Sequence, residues 1–188
     1  MKIEEILKEN PLIAAANHEN LNIAVNSNVS AVILMEGKIN KLIETSFRES
    51  LQMKPVFIHM DLLKGLSNDS ESIKFLRDNL KVKGIVSTKS STIRNAKKQG
   101  LLTIQRIFLI DTKSLNSAIE SVKENKPDAV EIMPALSNSI IEYIKGEIKR
   151  PIILGGLIRD KEEILNALNA GANGVSFSKS DLWNIDIK

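Results

Sequence analysis

The sequence predicts a compact (β/α)8 barrel of the TIM type with a truncated last helix. Three observations predict it. Eight short apolar runs recur along the 188 residues. Most are near-continuous in Ile, Val and Leu rather than alternating with polar residues, as in strands covered on both faces. Amphipathic stretches of helical period separate them, the order that gives a parallel sheet with right-handed crossovers. An open doubly wound sheet is the alternative arrangement of the same units.

Taken in order, the strand runs are Pro11–Ala16, Ala31–Met35, Pro55–Met60, Gly84–Ser87, Leu101–Ile110, Ala129–Met133, Pro151–Leu154 and Gly174–Phe177. The helical stretches are Ile39–Leu51, Ser70–Leu80, Ser91–Gln99, Ser114–Glu124, Ser137–Ile148 and Lys161–Ala170. Pro55, Pro127 and Pro151 sit before or at strand starts, where a missing N–H does little harm. Gly100 and Gly171 follow helical stretches as helix-ending glycines do. The chain is short for a barrel, whose usual size is about 250 residues. The first crossover, His18–Asn28, is brief, and only Lys179–Lys188 follow the eighth run. No linker or change of composition divides the chain, so residues 1–188 are expected to form one domain.

Composition excludes more than it selects. With no cysteine there is no disulfide framework, thiol nucleophile or thiolate metal site. No apolar run approaches the roughly 20 residues that cross a bilayer. The charged amino terminus does not read as a secretory signal, and a cytoplasmic location is expected. A formal net charge of +3 is compatible with nucleic acid without arguing for it, and 4% aromatic residues give no stacking platform. The basic clusters Arg94, Lys97 and Lys98, and Lys145, Lys149 and Arg150, read first as solvated helix faces. Trp183 is expected to cover the bottom or rim of the barrel.

In such barrels function sits at the carboxyl ends of the strands. Polar residues gather at that end here. Gly155 and Gly156 follow the seventh run and leave main-chain N–H groups open to a phosphate, with Ser176 and Ser178 at the end of the eighth adding hydroxyls. A tight strand-to-helix turn is the plainer reading of the glycines. His59 and Asp61, two apart, share a strand face and suit acid–base work or ligand contact. Glu131 is the best third ligand for a metal, but that set is thin and no metal is expected. Lys89 follows Ser87 and Thr88, and Arg106 is a cation inside an apolar run. Arg106 needs an anion or a carboxylate such as Glu131 or Asp61. Only one of Gln105 and Arg106 can face the interior, and sequence leaves which one open.

Taken together, Ile58-His-Met-Asp-Leu-Leu-Lys-Gly-Leu66, Gly84-Ile-Val-Ser-Thr-Lys89, Thr103-Ile-Gln-Arg-Ile-Phe-Leu-Ile-Asp111, Lys126-Pro-Asp-Ala-Val-Glu-Ile-Met-Pro134, Gly155-Gly-Leu-Ile-Arg-Asp160 and Leu182-Trp183 resemble, in family order, the glycerol-3-phosphate-responsive antiterminators of glycerol-uptake operons. The resemblance implies an RNA-binding regulator without catalytic turnover. Glycerol-3-phosphate would be the effector and a messenger leader the partner; no further cofactor is implied. Self-association into a homo-oligomer is left open. Two places depart from the family: Ala14-Ala-Ala-Asn17 stands where relatives often carry a basic residue, and Asn184-Ile-Asp-Ile-Lys188 replaces a more basic tail. On the residues alone the rival is a barrel enzyme of isomerase or aldolase type, with His59, Asp61 and Glu131 as acid and base and Lys89 as a Schiff-base amine.

Overall fold

Eight strands form the barrel: β1 (Leu12–Ala16), β2 (Ala31–Leu34), β3 (Val56–His59), β4 (Gly84–Ser87), β5 (Leu102–Phe108), β6 (Ala129–Met133), β7 (Ile152–Gly155) and β8 (Gly174–Phe177). The computed structural model describes residues 2–135 and 138–187, so Ser137, at the start of one expected helix, and Lys188 lie outside it. Each strand pairs in parallel with the next, and β8 closes on β1 through Leu12↔Val175, Ile13↔Ser176 and Ala14↔Phe177. The sheet is a closed barrel, not an open one.

Strand alternation sorts the core into two layers. Ile13, Ile33, Phe57, Val86, Ile104, Ala129 and Ile153 fill the interior. Residues of the other parity, among them Leu12, Leu34, Ile58, Ile85, Ile132 and Leu154, pack outward against the helices.

The helices are α1 (Ile3–Glu9), α2 (Leu21–Val25), α3 (Ile39–Leu42), α4 (Thr45–Met53), α5 (Ser70–Phe75), α6 (Ser90–Lys98), α7 (Thr112–Asn125), α8 (Asn138–Glu147) and α9 (Lys161–Asn169). Asp69, Asp111 and Asp160 cap α5, α7 and α9, each carboxylate accepting from the N–H three residues on.

Four features differ from the sequence expectation or go beyond it. The first is α1: its Ile3, Ile6 and Leu7 join the interior cluster and close the end of the barrel where the strands begin. Second, Ile39–Leu51 is not one helix. Glu44 is extended (φ −64°, ψ 147°) and separates α3 from α4, while Leu42 and Phe47 on either side both reach the outer core, so the apolar period runs through the break. Third, Gly37–Lys38 and Leu63–Lys64 form a small parallel ladder near the strands' carboxyl ends, and α5 runs on into a π turn, Leu76–Leu80. Last, Trp183 does not cover the barrel end. It is fully buried in the outer layer after the short 3-10 turn Ser180–Leu182, donating from Nε1 to the Phe177 carbonyl at 3.1 Å. Leu182, Ile185 and Ile187 pack on that layer with it, and Asn28 N–H donates to Asn184 Oδ1 at 3.0 Å. This short tail takes the place of an eighth helix.

Candidate functional site at the barrel mouth

Two residues up each strand from the apolar interior come His59, Arg106, Glu131 and Gly155, with Ser176 in register beside Gly155. Alternation turns these side chains inward. The structure therefore settles the pair on β5: Arg106 faces the interior. Gln105 faces out, donating to Ser121 Oγ at 2.8 Å and accepting from Asn125 at 3.1 Å.

The inward cation is neutralised on the spot. Arg106 Nε donates to Glu131 Oε2 at 2.6 Å, and both side chains are almost wholly buried, 3% and 0% exposed. Arg106 Nη2 also rests on Met35 Sδ at 3.3 Å. Ser176 Oγ donates to Glu131 Oε1 at 2.5 Å, so both carboxylate oxygens are engaged. A buried ion pair of this kind holds only while all its partners are present. Gly155 is part of the same fit: a Cβ there would stand 2.3 Å from Ser176 Oγ.

His59 sits in this layer at 4% exposure, and its Nδ1 is buried with no hydrogen-bond partner among the described residues. Burial and the neighbouring Arg106 charge hold its pKa below the ordinary 6.5, outweighing Asp61 and Glu131, which pull the other way. His59 is thus kept neutral, with one ring nitrogen unspent.

Asp61 stands at the rim. It accepts from Ser87 Oγ at 2.8 Å, from the Thr88 N–H at 2.7 Å and from Thr88 Oγ1 at 3.0 Å. Burial pushes its carboxyl up, but these bonds and His59 outweigh it and hold the carboxyl below its ordinary 3.8. It stays charged and tethers the β4 loop to β3.

Lys89 is exposed above that loop. With the Asn68 amide turned to satisfy both its groups, the Asn68 oxygen accepts from Lys89 Nζ at 3.1 Å.

The loop after β7 is wound left-handed at two successive residues, Gly156 (φ 79°) and Leu157 (φ 61°). A leucine in that region is strained by about 1 kcal/mol or more and is held there by its surroundings. Among the described residues, the N–H groups of Gly156, Leu157 and Ile158 make no hydrogen bond to the protein. Successive free N–H groups in such a turn form an anion-binding concavity. The β8 loop lies alongside it, with Ser178 exposed and Lys179 Nζ donating to the Arg159 carbonyl at 3.0 Å.

Of the nine residues singled out from sequence, Gly155, Ser176, His59, Arg106 and Glu131 thus come together in one buried layer, with Gly156 and Asp61 directly above it. Ser178 and Lys89 stand exposed on the rim. The Ser176 hydroxyl donates its hydrogen bond to Glu131 and so braces the ion pair. Lys179, the second residue past the last strand and not among those nine, stands beside them on the β8 loop. No group of three His, Cys, Asp or Glu side chains among the described residues is arranged to hold a metal.

Comparison with known proteins now decides the family. A model described as glycerol-3-phosphate responsive antiterminator matches residues 12–183. The chain belongs to this family. It is also 32% identical to the uncharacterized protein YgcP of Escherichia coli (strain K12) over 186 residues, covering 98% of this chain and 97% of that one. The crystal structure of a glycerol uptake operon antiterminator regulatory protein from Listeria monocytogenes superposes with a TM-score of 0.84 at 28% identity, covering 93% of this chain and 95% of that one. That of a glycerol uptake operon antiterminator-related protein from Thermotoga maritima gives 0.76 at 26% identity, covering 92% and 96%. Among the described residues, no helix of this antiterminator family member is long and apolar enough to cross a membrane.

Proposed function

We propose that this chain is a cytoplasmic, non-catalytic transcription antiterminator of glycerol-uptake genes, binding glycerol-3-phosphate at the barrel mouth and a messenger leader RNA in response. The observation that carries the effector half is the run of unpaired N–H groups at Gly156, Leu157 and Ile158. They offer the headgroup fixed donors that need no reorganisation, and Ser178 and Lys179 on the neighbouring loop add a hydroxyl and a charge. The unspent Nδ1 of His59 is suited to a glycerol hydroxyl. Arg106 and Glu131 then act as a floor, since each already holds the other. The family and its glycerol-operon relatives support the RNA half.

The carboxylates support a regulator over an isomerase or aldolase. Both oxygens of Glu131 are bonded to protein groups, Asp61 is fixed by three bonds, and Lys89 stands outside the interior in water. A Schiff-base lysine needs a desolvated pocket, and a catalytic carboxylate must be open to substrate rather than committed to protein donors.

For regulation, the effector must bind the RNA-competent form more tightly than the other form. The test is retention of a glycerol-gene leader transcript with and without glycerol-3-phosphate, alongside recovery of the ligand. Retention that rises with effector, with the ligand recovered unchanged, is the expected result. Conversion of the ligand, abolished by His59→Ala or Lys89→Ala, contradicts it.

A further inference from the structure

Basic residues stand at or just past the ends of three consecutive helices, α6, α7 and α8: Lys97 and Lys98, then Lys123 and Lys126, then Lys149 and Arg150. Along the chain these clusters are separate and unremarkable. The fold sets them side by side on the face where the strands begin, at the far end from the mouth. Lys97 Nζ reaches the Lys126 carbonyl and stands 3.9 Å from Asp128, while Lys123 pairs with Glu147 across the α7–α8 boundary at 2.6 Å. A cleft of about 200 Å³ opens between the ends of α7 and α8, lined by Lys123, Lys126, Glu147, Lys149 and Arg150 over a base of Val122 and Ile148.

Two carboxylates of this face are already engaged. Glu147 is taken by Lys123 and Asp128 lies beside Lys97, whereas Lys98, Lys126, Lys149 and Arg150 make no ion pair among the described residues. A cation or two at a helix end is ordinary, since it meets the negative end of the helix dipole. A convergence of three helix ends leaves an excess that the dipoles do not use.

Lys126 adds a second argument. It closes α7 in the left-handed region (φ 49°, ψ 53°), where glycine costs nothing and a lysine about 1 kcal/mol or more. The strained position holds a cation at the lip of the cleft.

We propose that the leader RNA docks on this amino-end face through its phosphate backbone, with Lys126, Lys149 and Arg150 as the contacts in the cleft. This rests on the RNA-binding reading above and adds where the RNA sits. No aromatic side chain lines the cleft, so the contact is ionic and follows the backbone rather than stacking bases. Effector and RNA then occupy opposite ends of the barrel. They do not compete for space, and their coupling passes through the barrel itself.

The experiment uses the full chain carrying Lys126→Gln, Lys149→Gln and Arg150→Gln together, with Lys38→Gln/Lys64→Gln on the ladder near the mouth as comparison. Retention of a glycerol-gene leader transcript is measured with saturating glycerol-3-phosphate at increasing salt. Losing three single-strand phosphate contacts makes the plot of log affinity against log salt shallower by about 2 and weakens retention about 100-fold at 0.1 M salt. Calorimetric binding of glycerol-3-phosphate is expected to be unchanged in the triple variant, which also reports that it is folded. Should the triple variant lose the effector as well, the single variants carry the test, each with a slope shallower by about 0.7. A wild-type slope in the cleft variants, or a loss confined to the Lys38/Lys64 variant, overturns the docking face and leaves the antiterminator reading standing. A wild-type protein that retains no leader RNA at all overturns that reading, and this inference with it.

Discussion

The two ends of this barrel solve opposite problems. Where the strands begin, Ile3, Ile6 and Leu7 of α1 plug the interior and cluster there with apolar side chains of the strands. Where they end, the interior holds Arg106, Glu131, His59 and Ser176 at 4% exposure or less. An apolar plug tolerates a change by the volume it loses. A polar network fails as a unit, because each removed partner leaves a buried charge or donor unmet. The difference teaches which end is built for stability and which keeps an arrangement that stability alone does not require.

The sharpest way to break that contrast is Glu131→Ala. It leaves Arg106 buried without its carboxylate and is expected to cost about 3–5 kcal/mol, read as a lower urea midpoint. Ile6→Ala at the other end is expected to cost about 2–5 kcal/mol through the cavity it opens, while calorimetric affinity for glycerol-3-phosphate stays at the wild-type value. Equal loss of affinity in both variants would mean that the ends are not separable. Gly155→Ala sharpens the contrast within the mouth. Its Cβ collides with Ser176 Oγ, so it is expected to cost about 1–3 kcal/mol and to weaken effector binding at the adjoining N–H groups.

The smallest effect is the pH dependence of stability. His59 and His18 are both held below the ordinary 6.5, chiefly by burial. As pH falls through that value the unfolded chain takes up protons before the folded one, so stability declines on the acid side of 6.5 until the folded state also titrates. His59→Gln is expected to flatten this decline partly, leaving the share owed to His18. Asp61, held below 3.8, acts only in more acid solution. Unchanged slopes in denaturant melts across this range would show that His59 is not excluded from charging.

Much of the fold was legible because parallel barrel strands are covered on both faces and read as unbroken apolar runs. Leu101–Ile110 overran its strand for the same reason. Leu109 and Ile110 are apolar, yet β5 stops at Phe108 and Ile110 is 88% exposed on the rim. The plug α1 was not read as a helix, because seven residues give barely two turns of periodicity and its partners are spread over seven strands. At the mouth, residue types and strand ends were legible but commitments were not. Neighbours such as Gln105 and Arg106 are equivalent until the register is known, and the bond from Ser176 to Glu131 spans 45 residues. The free N–H groups depend on a left-handed leucine that no propensity predicts.

Main-chain amides at the β7 loop are the heart of this account, and nuclear magnetic resonance reads them directly. Titrating the 15N-labelled protein with glycerol-3-phosphate is predicted to give saturable shifts at the Gly156, Leu157 and Ile158 N–H groups, while glycerol alone leaves them in place. Shifts confined to other parts of the barrel, or none at millimolar effector, would contradict it.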